Sequence, residues 1–401
     1  MSRRKFNDRE NTKHKINILL VVSIILLAVL IIGSLYLLIY LKSNSKTEPK
    51  VNSEANSNFV SVNGKYLFSG TIMLGRGVEN YANGNYNQPF NQISSLGTYD
   101  SRIGVLECPV TTNPDSYQNE VNNLVFNCSP NWLPTLKKYY PILNLSSDHL
   151  NDQGQSGYAE TVSRLNAAGF QTVGNYNPHV EKDDCKIIVL PVHLNKNNGQ
   201  SQSSFLPIAI CSYNYKIIFS PDPGEIQSIK KWSKILPVIA LMNGGPEYEH
   251  QAGPAQVSYA HQMIDNGADF VVGNGTHWVQ NTEVYKGKLI VYSMGNFIFD
   301  QLDYDGRIAL NLSVGMNVKY DNNVGKWISV GSKCENNTSN CLQLANSMKL
   351  NRYTATYSFN AVGSYGGYLQ VATKANAQQQ SDIESRANWS QTIKQLTMQK
   401  K

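Results

Sequence analysis

A layered α/β domain is the fold class predicted by this 401-residue sequence. Two observations carry the prediction. From Lys65 onward, short apolar runs alternate with segments whose apolar residues recur at helical spacing, and further strand-like runs follow once that alternation ends. The composition, 41% hydrophobic with 10% aromatic, supplies a core of the size such layers need.

Residues 1–17 read as a basic cytoplasmic tail. Arg3, Arg4, Lys5, Arg9, Lys13 and Lys15 oppose Asp8 and Glu10, so +4 of the chain's +6 lies here and +2 remains for everything else. That remainder excludes the basic stripe that nucleic-acid binding requires. Residues 18–41 carry no Asp, Glu, Lys or Arg and are long enough to span a hydrocarbon core of about 30 Å as a helix. With the basic residues on its N-terminal side, this segment predicts a single-pass anchor, N-terminus cytoplasmic and the rest extracytoplasmic, at the cell membrane. A cleaved signal peptide is the alternative, but no small-x-small site follows Leu41. Residues 42–62, polar and rich in Asn and Ser, predict a flexible tether.

The folded domain is expected over 63–376. Strands are predicted at Tyr66–Ser69, Ile103–Leu106, Pro141–Leu145, Ile187–Val192, Phe205–Cys211, Leu236–Leu241 and Phe270–Val272. Helices are predicted at Trp132–Tyr140, 158–168, Glu225–Ile235 and 254–265. Lys286-Gly287-Lys288 between Glu283–Tyr285 and Leu289–Tyr292 is a hairpin signal. Arg307–Tyr320, Trp327–Ser332, Arg352–Phe359 and Gly367–Thr373 add β character, and a polar helical tail is expected over 377–401. All six cysteines fall on the exported side. They allow 15 pairings, of which 108–128, 185–211 and 334–341 is the simplest; buried free thiols are the alternative.

Ligands in layered α/β folds sit beyond the C-terminal ends of strands. The residues there are polar or Gly-rich: Gly70–Arg76, Glu107, Ser146-Ser147-Asp148-His149, Met242–Tyr248, Gly273–His277 and Gly295-Asn296-Phe297. Nucleophilic catalysis has no candidate, since Ser146 and Ser147 stand too close to His149 for a triad, and P-loop, G-x-S-x-G and dinucleotide fingerprints are absent.

These groups, in this order, resemble the CapA-type capsule-synthesis family, whose members take part in making or exporting poly-γ-glutamate. Gly70-Thr71-Ile72-Met73-Leu74-Gly75-Arg76 matches a family Gly-Asp-x-Met-Leu-Gly-Arg, and Val105-Leu106-Glu107-Cys108-Pro109 its Asn-Leu-Glu-x-Pro. Asn144-Leu145-Ser146-Ser147-Asp148-His149 matches Asn-Leu-Ala-Asn-Asn-His, and Met242 through Tyr248 a His-Trp-Gly-x-Glu-Tyr with one extra residue. Gly273-Asn274-Gly275-Thr276-His277 matches Gly-His-x-Pro-His, and Glu283 through Asp300 follows the closing stretch with little change. The resemblance covers roughly residues 65–310. It implies an α/β/β/α metallophosphatase-like sandwich behind the anchor. Carried over position by position, it implies Glu107, Asp148, His277 and Asn274 as metal-facing, His149 with Asp148 as catalytic, and Arg76, Glu247 and Asn296 as substrate-facing.

Three departures bear on the cofactor. The family Asp stands as Thr71, one His as Met242 and another as Asn274. One divalent metal (manganese, zinc or magnesium) is what the resemblance implies, whereas these replacements favour a weak site or none. Three readings of the survivors stand open: a single retained metal, an anion held by Arg76, His149 and His277, or rim residues satisfied by local hydrogen bonds. The function expected is a binding or scaffold role in synthesis or export of an anionic capsule polymer, with the polymer or its membrane-bound synthase subunits as partners. The alternatives are a metal-dependent phosphoesterase acting on phosphate esters or envelope polymers, and a surface adhesin that kept the fold alone.

Overall fold

The 14-residue strand β1 (Phe59–Ile72) organises the molecule. Its first half alternates exposed and buried residues and its second half is buried throughout, so the chain begins on a half-solvated sheet and ends between layers. The computed structural model describes residues 58–113, 124–180, 184–216, 222–367 and 370–398, with Leu27 and Gly33 as isolated helical positions. Apart from those two, the expected basic tail, anchor and most of the tether lie outside the described residues. No helix among the described residues is long and apolar enough to cross a membrane. Residues 57–401 cluster as one unit, and every strand among the described residues belongs to it.

The remaining strands are β2 (Ser101–Leu106), β3 (Ile142–Asn144), β4 (Gln171–Val173), β5 (Cys185–Lys196), β6 (Ser201–Asn214), β7 (Val238–Asn243), β8 (Phe270–Asn274), β9 (Thr282–Tyr285), β10 (Lys288–Val291), β11 (Asn296–Ile298), β12 (Ile308–Lys319), β13 (Ala355–Gly366) and β14 (Ala372–Lys374). They run β14-β13-β12-β1-β5-β6-β7-β8-β10-β9 along one path. A branch leaves at β1. Residues Phe59–Asn63 pair antiparallel with β5, whereas from Tyr66 onward β2 takes that side in parallel, with a bulge between Phe68 and Thr71. β2, β3 and β4 continue the branch in parallel, and β11 pairs with Thr71 and Ile72.

The two branches face each other. The Gln171 amide on β4 both donates to Val189 O and accepts from Val189 N on β5, at 2.9 and 2.7 Å. Ser212 on β6 donates to Asn144 Oδ1 on β3 at 2.7 Å, and Phe68 meets Phe270 edge to face. Helices pack outside. The longer ones are α1 (Arg76–Ala82), α2 (Leu133–Tyr139), α3 (Gly154–Ala167), α4 (Pro254–Asp265), α5 (Asn322–Cys334), α6 (Thr338–Ser347), α7 (Ala377–Arg386) and α8 (Trp389–Met398). The result is a mixed α/β fold with a large sheet and covering helices, in line with the layered sandwich expected.

Several expectations need correction. Phe59–Val62, assigned to the tether, already belong to β1. Trp327–Ser332, expected as β, lies within α5. Asp321 caps it by accepting from Val324 N at 2.8 Å, and Val324, Trp327, Val330, Gly331 and Cys334 form one buried stripe. The strand-rich composition of that window yields to helical packing against β6. Glu225–Ile235 breaks into two short helical turns, Pro223–Ile226 and Ser228–Trp232. Gly367–Thr373 contributes only the two residues at the start of β14. The tail is two helices, divided at Asn388 with φ 51°, and Ile383, Trp389 and Leu396 tie it to the core.

The disulfides are Cys108–Cys128, Cys185–Cys211 and Cys334–Cys341, the simplest of the fifteen pairings. Cys185 and Cys211 face each other across β5 and β6, both buried. Closing a 26-residue separation restricts the unfolded chain by about 3.5 kcal/mol. Paired Cys185→Ala and Cys211→Ala substitutions are therefore expected to lower the unfolding free energy by about that amount in a urea titration, and an unchanged midpoint would contradict it.

Candidate functional site

β1, β2 and β3 on one branch and β6, β7 and β8 on the other run parallel within their branches and deliver their C-terminal ends to a common edge. Glu107 follows β2 directly. Asp148 and His149 open a 3₁₀ turn after β3. Lys216 lies two residues beyond β6, Glu247 follows β7, His277 follows β8 and Asn296 starts β11. Close backbone packing makes this convergence possible. A Cβ on Gly70 would fall 1.9 Å from Gly295 O, so only glycine lets β1 meet the loop before β11. Gly244, at φ 134°, likewise leaves room for the backbone nitrogen of Lys216.

Glu107 is wholly buried, and neither carboxylate oxygen makes a hydrogen bond. Burial pushes its carboxyl up to about 7 and the Asp148 charge adds to that; His149, Lys216 and the nearby Ser147 hydroxyl pull back less strongly. The Lys216 ammonium stands 3.8 Å from Asp148 Oδ2 and is ion-paired with Glu247, its side chain only 12% exposed. Burial works against that charge, yet Asp148, Glu107 and Glu247 together hold the lysine above its ordinary value.

The two histidines differ in character. His149 Nδ1 lies 2.8 Å from Asp152 Oδ2. Burial disfavours its charge, but Asp152, Glu107 and Asp148 outweigh burial and raise it. His277 is lowered, first by burial and then by the Lys216 charge, so it is held neutral. Asn296 donates through Nδ2 to Gln301 Oε1 and Gly306 O, which turns its Oδ1 toward His277 Nδ1 at 3.2 Å. The His277 proton therefore sits on Nδ1, and Nε2 keeps its lone pair.

Aromatic rings tie the set together. The Arg76 guanidinium lies over Phe126 at 4.5 Å and over Phe299 at 5.4 Å. Phe126 stacks on His149 with centroids 4.0 Å apart, and Phe299 meets His277 edge-on at 5.2 Å. Tyr248, 43% exposed, stacks on the His277 ring with centroids 5.2 Å apart. Arg76 is paired with Asp300, with its Nε 3.1 Å from Oδ2. Arg76, Tyr248 and His277 all have left-handed backbones, at φ 48°, 59° and 66°. Each costs roughly 1 kcal/mol or more for a non-glycine residue, and such costs cluster where a side chain must be aimed.

The three departures from the family pattern point inward. In the amide orientation that satisfies every partner, Asn274 accepts from Thr71 N and Oγ1 at 3.2 and 2.6 Å and donates to Gly295 O at 3.1 Å. Met242 is 1% exposed and lies over Gly273, where a Cβ would fall 2.8 Å from its terminal methyl. Both Met242 and Asn274 border a gap of about 10 Å³ lined by uncharged residues such as Phe68, Asn144 and Met294.

Among the residues expected from the sequence, Glu107, Asp148, His149, Glu247 and His277 share one electrostatic neighbourhood, with Asn296 orienting and Arg76 stacked at its margin. Asn274 lies under it, bonded to Thr71. Sequence reading missed Lys216, which follows no motif residue, and assigned no role to Phe126, Asp152 or Asp300. Asp152 had a local signal, being three residues past His149 in one turn. A larger groove of about 580 Å³, bordered by Asn63, Lys65, Asp100, His193 and Asn317, carries none of the expected residues. Among the described residues one group has ligand atoms close enough for a metal: His179, Asp222 and Glu225, within 4.8 Å of one another. There Glu225 accepts from Asp222 N at 2.6 Å and faces His179 Nδ1 at 2.7 Å, so helix capping accounts for much of it.

The family model described as bacterial capsule synthesis protein PGA_cap matches residues 65–201 and 222–301, more than half of the chain. The chain belongs to this family. It is 28% identical over 248 residues to a capsule biosynthesis protein CapA of Bacillus anthracis, covering 58% of this chain and 59% of that one. Against a PGA biosynthesis protein CapA of Bacillus subtilis the identity is 27% over 252 residues, 58% and 63% of the two chains. A probable polyglutamine synthesis accessory protein of Mycobacterium tuberculosis is 26% identical over 192 residues, 44% and 49%. The matched region spans half to three-fifths of these curated relatives.

The Glu107 carboxyl carries a pH signature. Unfolded, it titrates near 4.5; folded, near 7. Between those values the native state holds a proton that the unfolded chain lacks, so this stabilisation is complete below about 4.5 and lost as pH rises through 7. Glu107→Gln removes the dependence. Between pH 5 and pH 8 the stability difference is expected to move by roughly 2 to 3 kcal/mol in favour of the Gln variant, read from urea titrations at both values. Parallel pH profiles would show that Glu107 is ionised throughout.

Proposed function

We propose that this member of the capsule-synthesis family serves as a membrane-anchored binding or assembly subunit for an anionic polymer of the poly-γ-glutamate type, on a metallophosphatase-like fold whose metal site has been lost. The relatives' names supply the polymer class, and the charged groups at the sheet edge supply the chemistry. A γ-linked glutamate chain offers one amide donor and one carboxylate per residue. Lys216 and His149, both favoured in their charged forms, suit the carboxylates, and Asp148 and Glu247 suit the amide donors. Exposed Tyr248 gives a flat surface for the methylene segments.

A divalent metal does not fit the residues present. Thr71 and Asn274 are committed to each other, Met242 offers only a soft thioether and lies inward, and an ammonium already stands between Asp148 and Glu247. That ammonium is the single observation on which the binding reading rests. A second reading, a metal-dependent phosphoesterase, draws on the His149–Asp152 pair and the free Nε2 of His277, which are suited to proton transfer and ligation.

Isothermal titration of the purified full chain with poly-γ-glutamate distinguishes them. Binding is expected to weaken with salt and to fall about tenfold in a His149→Ala variant, while turnover of a generic phosphate ester in added manganese stays at background. Manganese-dependent turnover abolished by His277→Ala, without polymer binding, would reverse the assignment.

A further inference from the structure

We infer that Lys216 is a tethered counter-cation: its ammonium takes the charge-neutralising place among Glu107, Asp148 and Glu247 that a divalent ion would otherwise fill, and so makes the site independent of metal. The inference deepens the proposed function and rests on its reading of the site as one that does not use a metal.

Four observations carry it. The ammonium is ion-paired with Glu247 and 3.8 Å from Asp148 Oδ2, and both it and Asp148 act electrostatically on Glu107. Two carboxylates thus meet one cation while a third, buried carboxyl feels its charge, an arrangement that surface lysines lack, and the lysine side chain is 12% exposed. Its backbone is held on several sides. Lys216 N donates to Asn214 Oδ1 at 3.2 Å, Asn214 Nδ2 donates to Tyr176 O at 2.8 Å, and Tyr215 N donates to Asn243 O at 3.0 Å. The Tyr215 hydroxyl donates to Gly244 O, and Gly244 clears the space that Lys216 N occupies.

The lysine also arrives from the right strand. β6 pairs in parallel with β7, Asn214 opposite Asn243, so Lys216 extends from the strand beside the one where Met242 stands in place of a histidine. Lost ligands and gained cation are therefore neighbours. Replacing an anion by Thr71 and two imidazoles by Met242 and Asn274 strips the donors that could grip a metal but leaves Glu107 and Asp148 in place. Buried carboxylates without a cation are strongly disfavoured, and an ammonium with three rotatable donors meets that need without any coordination geometry.

The test is manganese uptake by the full chain, read by titration calorimetry and by metal analysis after desalting. Wild type and Lys216→Arg are expected to retain no stoichiometric manganese. Lys216→Ala is expected to bind one ion at least about tenfold more tightly than wild type, and Glu107→Gln in the Ala background is expected to abolish that gain. If Lys216→Ala lowers the melting temperature in metal-free buffer, manganese is expected to restore it. Stoichiometric manganese in wild type, no gain in the Ala variant, or a lowered melt that manganese does not restore would each overturn the inference. Poly-γ-glutamate binding is measured on the same samples. Its loss in wild type sinks the polymer reading and leaves the tethered cation standing, whereas manganese bound by wild type with polymer binding intact does the reverse.

Discussion

One strand joins both branches of the sheet, and that constraint governs the rest. Between Asn63 and Tyr66 β1 exchanges β5 for β2, and the bulge between Phe68 and Thr71 lets it bend between the branches. Because β1, β2 and β3 run parallel, as do β6, β7 and β8, both branches finish at one edge. Loops that are remote in sequence thereby become neighbours without any long excursion. Gly70 against Gly295 and the Asn274–Thr71 bonds lock the two branches together where they meet.

Charge balance is the second organising fact. Glu107 has no hydrogen-bond partner and no exposure, a combination that a fold tolerates only when a proton or a cation compensates. Here both are available: the carboxyl is pushed toward neutrality by burial, and Lys216 with His149 supplies positive charge nearby. His277, oriented by Asn296 and shifted toward its neutral form, and His149, oriented by Asp152 and shifted toward its charged form, divide the two imidazole roles between groups of different environment.

The aromatic stack sets the geometry within which those charges act. Phe126 and Phe299 link Arg76 to both histidines, and Asp300 holds the guanidinium from the far side. With Arg76 engaged in this way, its contribution is to fix ring positions as much as to offer charge. Left-handed backbones at Arg76, Tyr248 and His277 mark where local preference gives way to that arrangement.

Short apolar runs, glycine stops and the motif order pointed, from the sequence alone, to a layered α/β protein resembling the capsule-synthesis family, with its polar residues at strand ends, while the cysteine pairing stayed one of fifteen until the structure chose it. Those features are local, so a linear reading reaches them. Helix α5 escaped it because Trp327–Ser332 has strand-forming residues whose conformation is decided by packing on β6 and by the Asp321 cap. Lys216 escaped it for a stronger reason. Its partners lie 68 and 31 residues away in the chain, in the loops after β3 and β7, and only the forked sheet brings those loops to one ammonium. Tertiary structure likewise decided that Arg76 meets Asp300 and that Met242 turns into the core, because electrostatic and packing partners are chosen by distance in space.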